Sequence, residues 1–184
     1  MSNNADRWDL SYLYSGFDDE QFKSDLSSLG SEAKAMMEEM QNTDLPAAQL
    51  LEKAVEGSER ISAKVDKLAN FIQCTQAVDA TNEAANAAMD QLMMAFTALQ
   101  LASSAMTRAV AQIDDLEAVI ASSELLQSVG FALREMKEKA KHLIPEEIEP
   151  WILDMQLSGG AAFSQLRDKL DSTLVVDYRD EKNR

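Results

Sequence analysis

The sequence predicts an all-α protein: an antiparallel bundle of about five to seven helices, with a short C-terminal strand that lacks an evident partner. Two observations carry the helical prediction. Apolar residues make up 46% of the chain but aromatics only 6%, and most of that apolar content is Ala, Leu and Met, which favour helices. Apolar positions also recur at steps of three and four over long stretches, the spacing of one helix face. A third observation predicts the strand, since Leu174-Val175-Val176 is the one convincing β-branched run.

The 184 residues fit one domain with a core of its own, read here as a single helical domain over 1–184. It opens with an extended strap over 1–16, where Trp8-Asp9-Leu10-Ser11-Tyr12-Leu13-Tyr14 is aromatic and aperiodic and Ser15-Gly16 supplies a turn. The first helix is expected from about Asp18 to Met40. Asp18 is placed as its N-cap, Gln21 closes a capping box, and Phe17 with Phe22 forms a hydrophobic staple.

Gln41-Asn42-Thr43-Asp44 breaks the pattern, and Pro46 suits the start of a second helix. That helix carries the seam Leu51, Val55, Ile61, Val65, Leu68 and Ile72; Gly57 within it suggests a close helix contact or a bend. Asp79-Ala80-Thr81-Asn82 marks a turn before a third helix, from about Asn82 to Gln112. Its seam is Met89, Leu92, Phe96, Leu99, Met106, Val110 and Ile113, with a small-residue face at Ala88, Ala95, Ala102 and Ala109 that admits a close neighbour.

Asp114 and Glu117 have capping-box spacing for a short helix through Ile120, and Ser122-Ser123 restarts the chain toward a helix ending near His142. Pro145, Glu146 and Glu147 read as the first turn of the next helix, which Gly159-Gly160 is expected to stop. A last helix, from about Ala161 to Asp171, leads into a strand and tail over 172–184. A lone strand leaves its backbone groups unpaired, so the tail reads as ending before its partner strand.

A formal net charge of −15 and a pI near 4.4 repel phosphate backbones and anionic headgroups, so neither nucleic acid nor membrane is an expected partner. The longest uncharged stretch, Gln91 to Thr107, is too short and too polar to span a bilayer. One cysteine, Cys74, permits no internal disulfide, and no secretion-type leader precedes Trp8; the expected location is cytoplasmic.

Candidate chemistry is sparse. Zinc hydrolysis needs at least three protein ligands about an open position, and the chain has a single histidine, His142, beside Lys137, Lys139 and Lys141 at a predicted helix end. No nucleophile elbow, no Walker lysine and no metal-ligand spacing occurs, so no catalytic, cofactor-binding or metal-ligating residue is expected in this chain. Acidic pairs such as Asp18-Asp19, Glu38-Glu39, Asp114-Asp115 and Glu146-Glu147 read as solvated faces and helix first turns. The methionines Met36, Met37, Met40, Met93 and Met94 read as gap fillers in a helical core, with a plastic binding surface as the alternative. Arg134 to Glu138 and Glu135 to Lys139 read as i,i+4 pairs on a salt-bridged face.

Three stretches together resemble the N-terminal region of the oligoendopeptidase F family of zinc metallopeptidases, which are thimet oligopeptidase-like. The first is Arg7-Trp8-Asp9-Leu10-Ser11-Tyr12-Leu13-Tyr14 with Gly16-Phe17-Asp18-Asp19. The second is Ala77 to Ala84, with Asp79, Thr81 and Asn82. The third runs from His142-Leu143-Ile144-Pro145-Glu146-Glu147-Ile148-Glu149 through Ser158-Gly159-Gly160-Ala161-Ala162-Phe163-Ser164-Gln165-Leu166-Arg167 to Leu174-Val175-Val176. Phe163 stands where the family commonly has tryptophan. The family's zinc-binding His-Glu-x-x-His helix and third glutamate ligand have no counterpart here.

The resemblance implies a noncatalytic helical lobe that encloses the peptide cleft of a zinc metalloendopeptidase. The expected partners are the remaining catalytic lobe and, in the intact enzyme, an oligopeptide; zinc is expected in the catalytic part of the parent and no cofactor in this chain. Trp8, Tyr12, Trp151 and Phe163 are candidate anchors for that lobe or, alternatively, ordinary core aromatics. The competing function is a stand-alone helical protein–protein interaction module without enzymatic activity.

Overall fold

The computed structural model describes residues 9–41 and 45–175. Its elements are α1 (Glu20–Met40), α2 (Ala47–Val78), α3 (Glu83–Ala111), α4 (Leu116–Ala121), α5 (Glu124–Ser128) and α6 (Gly130–Lys139), then a 3-10 turn (Ala140–His142). Last come α7 (Glu149–Gln156), a π-helical turn (Leu157–Ala161) and α8 (Ala162–Thr173), which form one continuous rod. With that rod taken as one, the described residues hold seven helices and no strand, an all-α fold as predicted. Leu174 is extended but makes no ladder, because no second strand lies beside it among the described residues; Leu174 and Val175 are therefore not a strand, and Val176 lies outside the described residues.

The bundle is built on α1, α2 and α3, which pack on one another in up-down-up order. Lys53 of α2 reaches Glu39 near the end of α1, and Gln76 near the end of α2 reaches Asn86 at the start of α3. The predicted α2 seam does the packing: Leu51, Val55, Ile61, Leu68 and Ile72 are buried, with Val65 at its margin. Leu29 of α1 and Val110 of α3 complete it, and each such aliphatic side chain contributes about 1.5–3 kcal/mol by leaving water. On α3, Ala88 and Ala102 are buried, as the small-residue face predicts, but Phe96 of the predicted seam is exposed on the side that meets α7 rather than the core. Gly57 is buried, yet a Cβ there would meet nothing within 4 Å, so close helix contact does not explain that glycine.

Helix starts shift by a residue where two carboxylates are adjacent. Asp19, not Asp18, caps α1, with the Gln21 N–H donating to Asp19 Oδ1 at 2.8 Å, while Asp18 pairs with Lys23 in solvent. Asp115, not Asp114, caps α4 by accepting the Ala118 N–H at 3.0 Å. Asn82 caps α3 as expected. The Phe17–Phe22 staple forms, at 5.3 Å between ring centroids, and Phe71 and Tyr14 close an aromatic cluster around it.

The opening segment is not simply extended, since the chain turns at Ser11–Leu13, with the Leu13 N–H donating to Leu10 O; the part of the strap up to Trp8 lies outside the described residues. The helix expected from Ser123 to His142 divides at Val129–Gly130, where a Cβ on Gly130 would meet Ile120 Cγ2 at 3.1 Å. That glycine lets α6 approach α4. Arg134 then turns to Glu117 of α4, at 2.7 Å, instead of Glu138, while the Glu135–Lys139 pair forms as predicted at 3.0 Å.

Two corrections concern the C-terminal rod. Its first turn is Glu149-Pro150, not Pro145-Glu146-Glu147, which form the preceding turn. Gly159-Gly160 does not stop the helix. A glycine stop needs a left-handed residue, and none of the described glycines has positive φ; the helix instead runs through them as the π turn.

Candidate functional site

The rod is fastened at its N-terminal end by Glu149, which is buried against α3. Arg108 Nη2 donates to Glu149 Oε2 at 2.8 Å and to the Ile144 carbonyl at 3.1 Å, and the Ser104 hydroxyl donates to Glu149 Oε1. One carboxylate thus holds two side chains of α3, and the same guanidinium holds the incoming loop. A negative side chain in the first turn also complements the positive end of the helix dipole.

Beyond this anchor the rod is sparsely covered. No residue of α8 is buried, and Trp151, Met155, Phe163, Leu166, Leu170 and Leu174 are all exposed. Between α3 and the rod lies an open apolar groove of about 610 Å³, floored by Met93, Phe96, Ile152, Met155 and Gly160. It continues past Met93 into a more polar groove of about 500 Å³, where Asp90, Asn86 and Gln76 face Gln165, Asp168 and Lys169. Met94 is exposed and Met93 is half-buried on the groove wall, as the plastic-surface alternative allows, whereas Met36 and Met40 fill the core.

Of the four candidate anchors, Trp151 and Phe163 share this rod, at 73% and 70% exposure. Tyr12 is also exposed, at 77%, but on the opening turn, and Trp8 lies outside the described residues. Ordinary core packing does not account for the three described. Sequence reasoning assigned no role to Glu149 or Arg108, because no local signal pairs residues 41 positions apart.

A second polar cluster joins α1 to α2. The Tyr14 hydroxyl donates to Asp25 Oδ2 at 2.8 Å, and Lys64 reaches Ser28 Oγ, Glu32 and Asp25. Burial pushes the Tyr14 hydroxyl well above its ordinary pKa, with the Asp25 carboxylate adding to the effect. Burial raises the Glu32 carboxyl, but the hydrogen bonds from Lys64 and Ser28 and the lysine's charge outweigh it and hold the group below its ordinary value. These contacts tie α1 to α2 as a clamp, and only Glu32 Oε2 among its atoms is buried without a hydrogen-bond partner. His142 is exposed at the end of the 3-10 turn, and among the described residues no three of His, Cys, Asp and Glu stand together as a metal site. Among those residues, no helix is long and apolar enough to cross a membrane.

No curated protein and no solved structure matches the chain. A family match covers the segment from the end of α3 through the rod, including nearly all of the third stretch of resemblance and neither of the first two. Residues 111–175 match the N-terminal family model described as oligopeptidase F, and over that segment the chain is similar to the N-terminal region of this peptidase family.

Proposed function

We propose that the chain is a noncatalytic helical lobe of an oligoendopeptidase F-like zinc metalloendopeptidase, enclosing the cleft in which oligopeptides are hydrolysed. The observation that carries this reading is the coincidence of the family match with a region the bundle leaves largely uncovered: residues 111–175 end in a rod whose aromatic and aliphatic side chains face solvent. Such a face requires a second body to bury it. In this reading that body is the catalytic lobe, which supplies the zinc, its ligands and the activated water. This chain supplies a wall that admits flexible peptides and blocks folded proteins by sterics. Its net charge of −15 favours entry of basic peptides. We place it in the reducing cytoplasm, where the exposed Cys74 thiol remains reduced.

The test is complementation. The chain is mixed with the catalytic part of an oligopeptidase F, and cleavage of an internally quenched oligopeptide is followed with and without zinc. A rise in zinc-dependent cleavage that requires both parts is the expected result; no association and no change in rate overturns the reading. The same exposed rod also favours a second reading, a free-standing interaction module, and that reading predicts a stable complex with another protein and no effect on peptide hydrolysis.

A further inference from the structure

The rod Glu149–Thr173 is held at one end only. Its α7 half is fastened to α3 through Glu149, Arg108 and Ser104, and Ile152 and Leu153 are half-buried along the apolar groove. Its α8 half has no such hold. All of its residues are exposed, and every side-chain hydrogen bond and ion pair it makes among the described residues stays within the helix: Arg167 to Asp168, Ser172 to the Lys169 carbonyl and Thr173 to the Leu170 carbonyl. Across the polar groove Gln165, Asp168 and Lys169 face Gln76, Asn86 and Asp90, and among the described residues no hydrogen bond joins the two sides. Few buried contacts and solvated polar groups mark the segments of a protein that move most easily.

The held and unheld halves meet at the π turn Leu157–Ala161, which contains Ser158-Gly159-Gly160. Neither glycine has a positive φ, and a Cβ on either would meet nothing within 4 Å. Neither the backbone conformation seen here nor internal packing needs them, and both are unfavourable in mid-helix relative to alanine. The turn also carries a residue in excess of an α-helix. Trp151 and Phe163 stand twelve positions apart and would point about 120° apart on an unbroken α-helix, but the extra residue brings them to within about 20°. Helices bend where glycine and serine adjoin and at π turns, and both features coincide at the boundary where packing of the rod ends.

We propose that Gly159-Gly160 is a hinge and that α8 is an arm whose swing opens and closes the polar groove against α2 and α3. Because no hydrogen bond crosses that groove among the described residues, opening it breaks none. Ser172 stands twelve positions beyond Gly160, about 18 Å along the helix, so a bend of about 20° at the hinge carries it by about 6 Å. The hinge is independent of the lobe reading, since the arm swings whatever body covers its outer face.

The experiment measures distances between nitroxide labels in the full chain by double electron–electron resonance. Cys74→Ser removes the native thiol, and Ser31→Cys on α1 is paired either with Asp154→Cys on α7 or with Ser172→Cys on α8, all exposed positions. The expected result is a narrow distribution for the α7 pair and one broader by about 6 Å or more for the α8 pair. Gly159→Ala with Gly160→Ala narrows the α8 distribution to the α7 width, while Ser164→Ala with Thr173→Ala, which strengthens α8 without touching the hinge, leaves it broad. Equal widths for the two pairs in the glycine-bearing chain overturn the proposal, whatever the variants do. Breadth that survives glycine replacement overturns it as well. Narrowing to the same width by the Ser164 and Thr173 replacements assigns the motion to fraying of α8, and that result also overturns it.

Discussion

Arg108 and Glu149 meet at 2.8 Å across 41 residues of sequence, and their ion pair is the point at which the C-terminal rod is tied to the three-helix core. The Glu149 side chain is almost wholly buried and Arg108 is three-quarters covered, so the pair is shielded more than a surface salt bridge. Glu149→Ala leaves the guanidinium and the Ser104 hydroxyl without their acceptor. The expected loss is on the order of 2 kcal/mol, with amide exchange rising in residues 149–173 well before it rises in α1 and α2. Uniform exchange along the chain would show that the pair does not fasten the rod locally.

The clamp between α1 and α2 behaves differently. Lys64→Met removes the cation shared by Glu32 and Asp25 and leaves two shielded carboxylates facing each other. A loss of roughly 3 kcal/mol at neutral pH is expected in urea unfolding. In the wild type the depressed Glu32 carboxyl contributes stability that is lost as pH falls through its folded value, and the variant lacks the share of that contribution due to Lys64, so the gap between variant and wild type narrows as pH falls. A gap that is constant from neutral to acidic pH would count against this account.

Asp19 gives a pH signature of the opposite kind. Hydrogen bonds from the Ser15 backbone and hydroxyl and from the Gln21 backbone depress its carboxyl from 3.8 to about 2. A depressed folded-state value contributes stability above the unfolded value, and that contribution is lost as pH falls from about 4 through about 2. Asp19→Ala therefore lowers the unfolding midpoint at pH 6, and its difference from wild type shrinks across that window. A difference that persists unchanged below it would place the effect in packing instead of the carboxylate.

Gly159→Ala with Gly160→Ala raises the helix content and thermal stability of the isolated chain by about 1 kcal/mol per site, because open space surrounds both positions and their φ values suit any residue. Circular dichroism during thermal unfolding checks it. A loss of helix would mean that the π turn depends on glycine.

Much of the fold is legible in the sequence because its periodic signals are local. The α2 seam, the Asn82 cap and the Phe17–Phe22 staple are each set by residues within a turn or two of one another. What fails is also physical. Gly159-Gly160 reads as a stop because helices commonly end in a left-handed glycine, but a π turn absorbs the pair without any positive φ. Leu174-Val175 has strand composition, yet composition cannot supply a second strand. Trp151 and Phe163 can be chosen from sequence as anchor candidates, but their alignment depends on the π turn, and the Glu149 anchor depends on a contact with α3 that no local pattern encodes. Ser123 to His142 reads as one helix because nothing local shows that Gly130 must clear Ile120.

The central claim is that this chain is a lobe that shapes peptide hydrolysis without performing it. The most direct measurement incubates the purified chain with zinc and an internally quenched oligopeptide and follows fluorescence and fragment masses. The account predicts no zinc-dependent turnover above the protein-free control; cleavage that tracks added zinc and stops with a chelator would contradict it.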